Sequence, residues 1–225
     1  IGINVLMPRI EEEKAKIPGT EEIVKAVVNE ITVKRDLVGR RVLITAGPTR
    51  AYLDAFRYIT NPSSGKMGVA LANNALARGA EVTLVYGPGT EKPPREAEVV
   101  HVLSTEEMLE AVKHELGLRK HDAAVLSAAA ADYEPTERRM EKTPSGRADW
   151  NIEMNPLPKI IENVKKVDPG IYLIGFKAEY NISQNELVDR AYDRLIGADM
   201  DLIVANDVSK EGMGFGADTN EVYII

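Results

Sequence analysis

Ile59-Thr60-Asn61-Pro62-Ser63-Ser64-Gly65-Lys66-Met67-Gly68 gathers an amide, hydroxyls, a lysine and two glycines into one short run. The run follows a strand-like segment, 41–50, and leads into a helix-like one, 69–78. The first N–H groups of a helix have no intrahelical partner, and the positive end of the helix dipole lies there. A loop of this composition at that place accepts an anion: a phosphate, a carboxylate or both. The same residue types also serve a plain Ser/Gly turn that only caps a helix.

The run is neither of the two common phosphate motifs. A P-loop requires glycine where Thr60 stands and Ser or Thr where Met67 stands. A dinucleotide fingerprint requires three close glycines and an acid after the second strand. Here only Gly65 and Gly68 are present, and 81–86 ends in Gly87-Pro88-Gly89.

Other groups with chemical potential stand at the ends of apolar runs. Ser127-Ala128-Ala129-Ala130-Ala131-Asp132 would let a ligand approach bare backbone, whose N–H and C=O groups could read a base edge. Asp132 either caps the next turn or meets ribose hydroxyls or a nucleotide-bound Mg²⁺. Lys142 lies in a charged stretch, either solvated or able to fold over a polyphosphate. Phe176 either packs in the core or stacks on a base. Arg194 lies on an amphipathic helix and Asn206-Asp207 ends a strand; a solvated face and a turn are their plain roles. His101, His114 and His121 have no metal-ligand spacing, and without cysteine there is neither disulfide nor thiolate site.

These groups need a scaffold. Apolar runs at 42–46, 82–86, 99–103, 123–127, 171–175 and 202–205 alternate with helical patterns at 67–78, 105–117, 157–167 and 184–195. Most of the runs are continuous rather than alternating, which predicts strands buried on both faces of a parallel sheet. The expected fold class is α/β: Rossmann-like, doubly wound, mostly parallel, with ligands at the carboxyl ends of the strands. Residues 133–150, charged and with Pro135, Pro144 and Gly146, break the alternation and are expected to form a long flexible lid. Residues 1–40 also break it and carry one expected helix, 21–31. A net charge of −7 over 225 residues argues against a nucleic-acid surface, and no apolar run reaches membrane-spanning length. A cytoplasmic protein is expected.

Gly47-Pro48-Thr49-Arg50, the run at 59–68, 128–135, Gly175-Phe176-Lys177-Ala178-Glu179 and 201–207 together resemble one family in order and spacing. It is phosphopantothenoylcysteine synthetase, the synthetase half of the bifunctional coenzyme A biosynthesis protein of bacteria and archaea. The resemblance covers residues 41–225. It implies a ligase that joins 4′-phosphopantothenate to L-cysteine, using CTP and Mg²⁺, through an acyl-cytidylate, with pyrophosphate and CMP released. By the same resemblance Asn61 and Lys142 are catalytic, and Gly47, Thr49, Ser63, Ser64, Gly65 and Gly68 bind substrate. The nucleotide would meet Ala128, Ala129, Ala130, Asp132, Lys142, Asn155, Pro156, Leu157, Pro158, Phe176 and Arg194, with Asp132 the contact to Mg²⁺. Residues 1–40 would be the tail of a covalently attached decarboxylase domain plus a linker, with FMN confined to that other domain. A homodimer is implied, each lid near the partner's site.

The sequence departs from the family pattern in two places. The lid has fewer lysines, Lys142 being followed by Thr143-Pro144-Ser145-Gly146-Arg147. On the late helix Arg194 matches the first of two basic positions, but Ala198 stands at the second, with Arg190 a turn earlier as a substitute. An ATP-dependent version of the ligase, an NAD(P)-dependent oxidoreductase and a non-catalytic binding module are the alternatives.

Overall fold

Neighbouring residues of the buried strands belong to two different cores. Val42, Ile44 and Ala46 pack with Val82, Leu84, Val69 and Ala72, whereas Leu43 packs with Val85, Met108, Val112, Leu173 and Ile203. A sheet clothed in this way on both faces must present side chains alternately to two layers of cover. A computed structural model describes residues 9–11, 14–21, 23–24, 27, 34–146, 149–210, 212–214 and 216–225. The chain forms two compact units, Ile1–Asp36 and Leu37–Ile225.

In the first unit β1 (Arg9–Glu11) pairs antiparallel with β2 (Lys14–Lys16). The helix expected at 21–31 falls largely outside the described residues. The second unit runs β3 (Arg41–Ala46), β4 (Arg50–Tyr52), β5 (Tyr58–Thr60), α1 (Lys66–Ala77), β6 (Glu81–Tyr86), β7 (Glu98–His101) and α2 (Thr105–Leu118). It continues with β8 (Ala123–Leu126), β9 (Tyr133–Pro135), β10 (Met154–Pro156), α3 (Ile161–Val167), β11 (Tyr172–Glu179), α4 (Gln184–Gly197), β12 (Leu202–Asp207) and β13 (Tyr223–Ile224).

The main sheet has the order β13-β12-β11-β8-β3-β6-β7. Only β13 is antiparallel to its neighbour. Counting the six parallel strands in chain order, this is the 3-2-1-4-5-6 arrangement of a doubly wound Rossmann-like fold. The chain reverses its direction of winding between β3 and β8, and a crevice opens beyond their carboxyl ends. Every expected strand and helix of the second unit is present, with shifted ends. β11 runs on to Glu179, so Phe176 lies inside the strand and not past it. α3 starts only at Ile161, because Pro158 and the bond from Leu157 N–H to Asp132 O (2.8 Å) hold the preceding turn apart from the helix.

Helix caps differ where it matters. Ser104 and Ser183 accept N–H groups at the starts of α2 and α4. The residue before α1 is Gly65, at φ 87, which supplies no side-chain cap.

Candidate functional site

A cavity of about 720 Å³ opens at the β3/β8 switch point. That is within the range of small-molecule sites. Its floor and walls come from segments distant in sequence, among them the loop into α1, the chain after β8, residues 157–161, the later part of β11 and the segment before β13.

The loop is shaped by close packing. A Cβ on Gly68 would lie 2.3 Å from Ala46 Cβ, and one on Gly65 would lie 2.9 Å from the Tyr86 ring, besides the strain of its positive φ. Glycine at these two positions lets α1 begin directly against β3, so its first turn faces the crevice. Ser64 Oγ accepts the Lys66 N–H at 3.3 Å. Asn61, Ser63, Ser64, Gly65, Lys66, Met67 and Gly68 all line the cavity.

The chain after β8 is clamped from below. Ser127 Oγ donates to Thr45 O (2.7 Å), the Ala129 N–H to Gly47 O (3.0 Å), and the Ala131 N–H to Thr49 Oγ1 (2.7 Å). Thr105 Oγ1 donates to Ala131 O at 3.1 Å. Asn61 Nδ2 donates to Ala129 O (3.0 Å) and Ala130 O (3.2 Å). The alanine run therefore offers less free backbone than its composition suggests, and its position is set by Asn61. Because both amide hydrogens of Asn61 point at carbonyl oxygens, the Oδ1 atom is the one left over, and it accepts rather than donates.

Gly47 and Thr49, expected at the substrate, lie beneath the wall. Thr49 is fully buried, its hydroxyl 2.7 Å from that of Thr105. Of the residues expected at the nucleotide, Ala128, Ala129, Ala130, Asp132, Leu157, Pro158, Phe176 and Arg194 line the cavity together. Asn155, Pro156 and Lys142 are not part of its wall. Asn155 and Pro156 pair across β9–β10 with Glu134 and Tyr133. The Lys142 ammonium sits 5.1 Å above the Phe56 ring.

The stretch expected as a long flexible lid is a hairpin at its base. β9 and β10 pair antiparallel, and the Thr136 N–H extends the ladder to Glu153 O. Its outer part is tied to the β4–β5 hairpin. The buried Asp54 carboxylate accepts the N–H groups of Phe56, Arg57 and Thr143, and Arg57 Nη1 reaches both Asp54 Oδ2 and Thr143 O. Arg57 and Arg139 lie over Trp150, and Arg138 over Tyr52. Arg147 falls outside the described residues.

Four cations line the cavity among the described residues, and each holds a carboxylate. Lys66 pairs with Asp218 (2.6 Å), Lys159 with Asp132 (2.5 Å), Lys177 with Glu179 (3.0 Å) and Arg194 with Glu162 (3.0 Å). Burial alone would raise the Glu179 carboxyl, but Lys177 and Arg190 hold it below its usual range. Arg190 is thereby engaged with Glu179 and Glu186 and does not replace a second basic residue at the cavity; Lys159 and Lys177 are the additional cations. Sequence reasoning missed Lys159 although it directly follows Asn155, Pro156, Leu157 and Pro158, which the resemblance puts at the nucleotide. It also missed Asp218 and Asn220, whose place in the wall no local pattern announces.

The sequence profile of the DNA/pantothenate metabolism flavoprotein C-terminal domain matches residues 37–225. The chain is similar to the coenzyme A biosynthesis bifunctional protein CoaBC of Thermococcus kodakarensis, 44% identical over 225 residues, covering 100% of this chain and 54% of that protein. It is also similar to the protein of that name in Methanocaldococcus jannaschii, 39% identical over 224 residues, with 99% and 54% covered. The chain spans about half the length of these curated relatives. Among solved structures, the crystal structure of the C-terminal domain of a CoaBC protein superposes with a TM-score of 0.65 at 35% identity, over 84% of this chain and 87% of that one.

Proposed function

The chain belongs to the DNA/pantothenate metabolism flavoprotein C-terminal domain family, and from that premise we propose that it is the phosphopantothenate–cysteine ligase domain of coenzyme A biosynthesis. The observation that carries this reading is the single cavity with an anion loop at one end, Ser63 to Gly68, and a second charged group, Asp132, Lys159 and Arg194, elsewhere in its wall. Two anionic reactants fit such a site: a nucleoside triphosphate and a phosphorylated acid.

The chemistry proceeds in two displacements. A carboxylate oxygen of 4′-phosphopantothenate attacks the α-phosphorus of CTP, and the bond to pyrophosphate breaks. The cysteine amine then attacks the acyl carbon, the acyl–oxygen bond breaks, CMP departs and the amine gives up a proton. The loop N–H groups and Lys66 bind phosphate oxygens, Asn61 holds the 129–130 carbonyls in place, and the cations of the cavity exchange their carboxylate partners for phosphate oxygens. Among the described residues no three acidic or histidine side chains are arranged to hold a metal ion. Asp132 and Asp218, each held by a lysine, are the aspartates of the wall, and Asp132 fits a Mg²⁺ that arrives with the triphosphate and keeps most of its waters. Such an ion would neutralise charge on the transferring phosphorus.

In this reading the domain acts as a homodimer joined to a decarboxylase domain. Phe56, at 70% exposure, Ile59 and Met140 leave an apolar surface on the hairpins around Lys142. That surface supports an assembly in which the flap serves a partner's cavity.

Isotope exchange between pyrophosphate and CTP, with phosphopantothenate and Mg²⁺ but no cysteine, tests the first displacement. Exchange that depends on phosphopantothenate is the expected result, and adding cysteine should yield 4′-phosphopantothenoyl-L-cysteine. Absence of both exchange and product would end the ligase reading, whereas equal exchange with ATP would move the assignment to the ATP-dependent form.

A further inference from the structure

Lys66, the first residue of α1, reaches across the cavity mouth to a segment more than 140 residues later. Its ammonium donates to Asp218 Oδ1 at 2.6 Å and to Gly216 O at 3.1 Å. That segment, with Gly214, Gly216, Ala217, Asp218, Thr219 and Asn220, forms part of the cavity wall. Its ends are secured independently of Lys66. Asn206 Nδ2 bonds to Asn220 Oδ1, Thr219 Oγ1 to Gly212 O, and Lys210 pairs with Glu221. The Asp218 carboxylate itself is 89% exposed, so no burial traps it against the lysine.

The pair is fully charged at neutral pH. The hydrogen bond to Asp218 raises the lysine above its ordinary value, and that to Lys66 lowers the carboxyl. The place is one that attracts negative charge. α1 has no acidic residue in its first turn and no side-chain cap from Gly65. A carboxylate of the chain thus stands at the mouth of the site built for an external anion.

We propose that Asp218 is the internal counter-ion of the phosphate site: it pairs with Lys66 and competes for it with the phosphate group of an arriving ligand, so it sets the affinity of the loop. The identity of that ligand, nucleotide or phosphopantothenate, rests on the ligase reading; the competition does not.

Inorganic pyrophosphate is the probe, titrated calorimetrically into the wild-type chain, Asp218→Asn, Lys66→Gln and the double variant. Asp218→Asn should bind about two- to five-fold tighter, the range an exposed ion pair spans. Lys66→Gln should bind more weakly, and adding Asp218→Asn to it should change nothing, because the two residues act as a coupled pair. Unchanged or weaker binding by Asp218→Asn, a gain that persists without Lys66, or no pyrophosphate binding by the wild type would each overturn the proposal. Circular dichroism should show all four chains folded, since both side chains are solvent-facing. Kinetics then separate the sources: a lower KM for CTP assigns the phosphate to the nucleotide, and a lower KM for phosphopantothenate assigns it to the acid. If the wild type binds pyrophosphate but shows neither exchange nor product, the ligase reading fails while the counter-ion cycle still stands.

Discussion

Asp54 accepts the backbone N–H of Thr143 at 3.0 Å, although 89 residues separate them. This bond fastens the outer part of the flap to the β4–β5 hairpin, one residue from Lys142. Replacing Asp54 by Ala strands several N–H donors and the Arg57 guanidinium at once. The expected outcome is a melting temperature lower by several degrees and faster proteolysis between 137 and 152, measured by thermal denaturation and limited trypsin digestion. Retention of wild-type cleavage rates would show that the flap is held by its aromatic contacts instead.

Acid should reveal the same carboxylate. Burial would raise the Asp54 carboxyl, but the N–H groups of Thr143, Phe56 and Arg57 and the Arg57 guanidinium outweigh it and hold it well below the usual range. A carboxyl lowered by folding stabilises fully above its unfolded value of about 4 and loses that contribution as pH falls below it. Denaturant midpoints compared between pH 6 and pH 3 should therefore fall more steeply for the wild type than for Asp54→Asn.

Asn61→Asp should be more damaging than Asn61→Ala. Alanine deletes two hydrogen bonds, each worth about 0.5–1.5 kcal/mol net. Aspartate places a carboxylate oxygen against the carbonyls of Ala129 and Ala130, where a donor is needed. Turnover should fall roughly 10²-fold or more in either variant if the 129–130 backbone orients the reacting acyl group, with nucleotide affinity changing less. Steady-state kinetics and thermal melts of both variants check the order.

Lys159→Gln should raise the KM for the nucleotide about ten-fold, the scale of one charge-assisted hydrogen bond. The motive is its ion pair with Asp132 in the cavity wall. The KM for phosphopantothenate should not follow. Equal shifts in both would mean that Lys159 only positions the turn at 157–158.

His121 should make stability fall on mild acidification. It is buried, and burial lowers it below its ordinary value; a backbone hydrogen bond at Arg119 and the Glu115 charge favour protonation, and the Arg119 and Arg41 charges oppose it. A histidine lowered by folding leaves stability intact above about 6.5 and weakens it as pH drops, because the unfolded chain takes up the proton first. Denaturant unfolding between pH 7.5 and pH 5 should show this slope, and His121→Gln should flatten it.

The elements and the loop were legible because their signals are local. Continuous Val, Ile and Leu runs announce strands covered on both faces, and the spacing of Val69, Ala72 and Ala75 announces the buried side of α1. The glycines at 65 and 68 and the polar groups at 61, 63 and 64 marked the loop as a candidate anion site before any fold was known, since the first N–H groups of a helix have no partner of their own. What required the folded chain was every relationship that closes across it. No periodicity shows that Asn61 spends its amide on Ala129 and Ala130, that Thr49 is a support under the wall, or that the flap at 133–156 is a paired hairpin pinned by Asp54. Nor does it show that the counter-charges of the cavity, Asp218 for Lys66 and Asp132 for Lys159, come from remote segments. Local propensity follows from the nearest few residues. Which carboxylate meets which cation depends on strand order and winding, and that is decided only when the sheet assembles and brings the ends of β3, β8 and β12 to one edge.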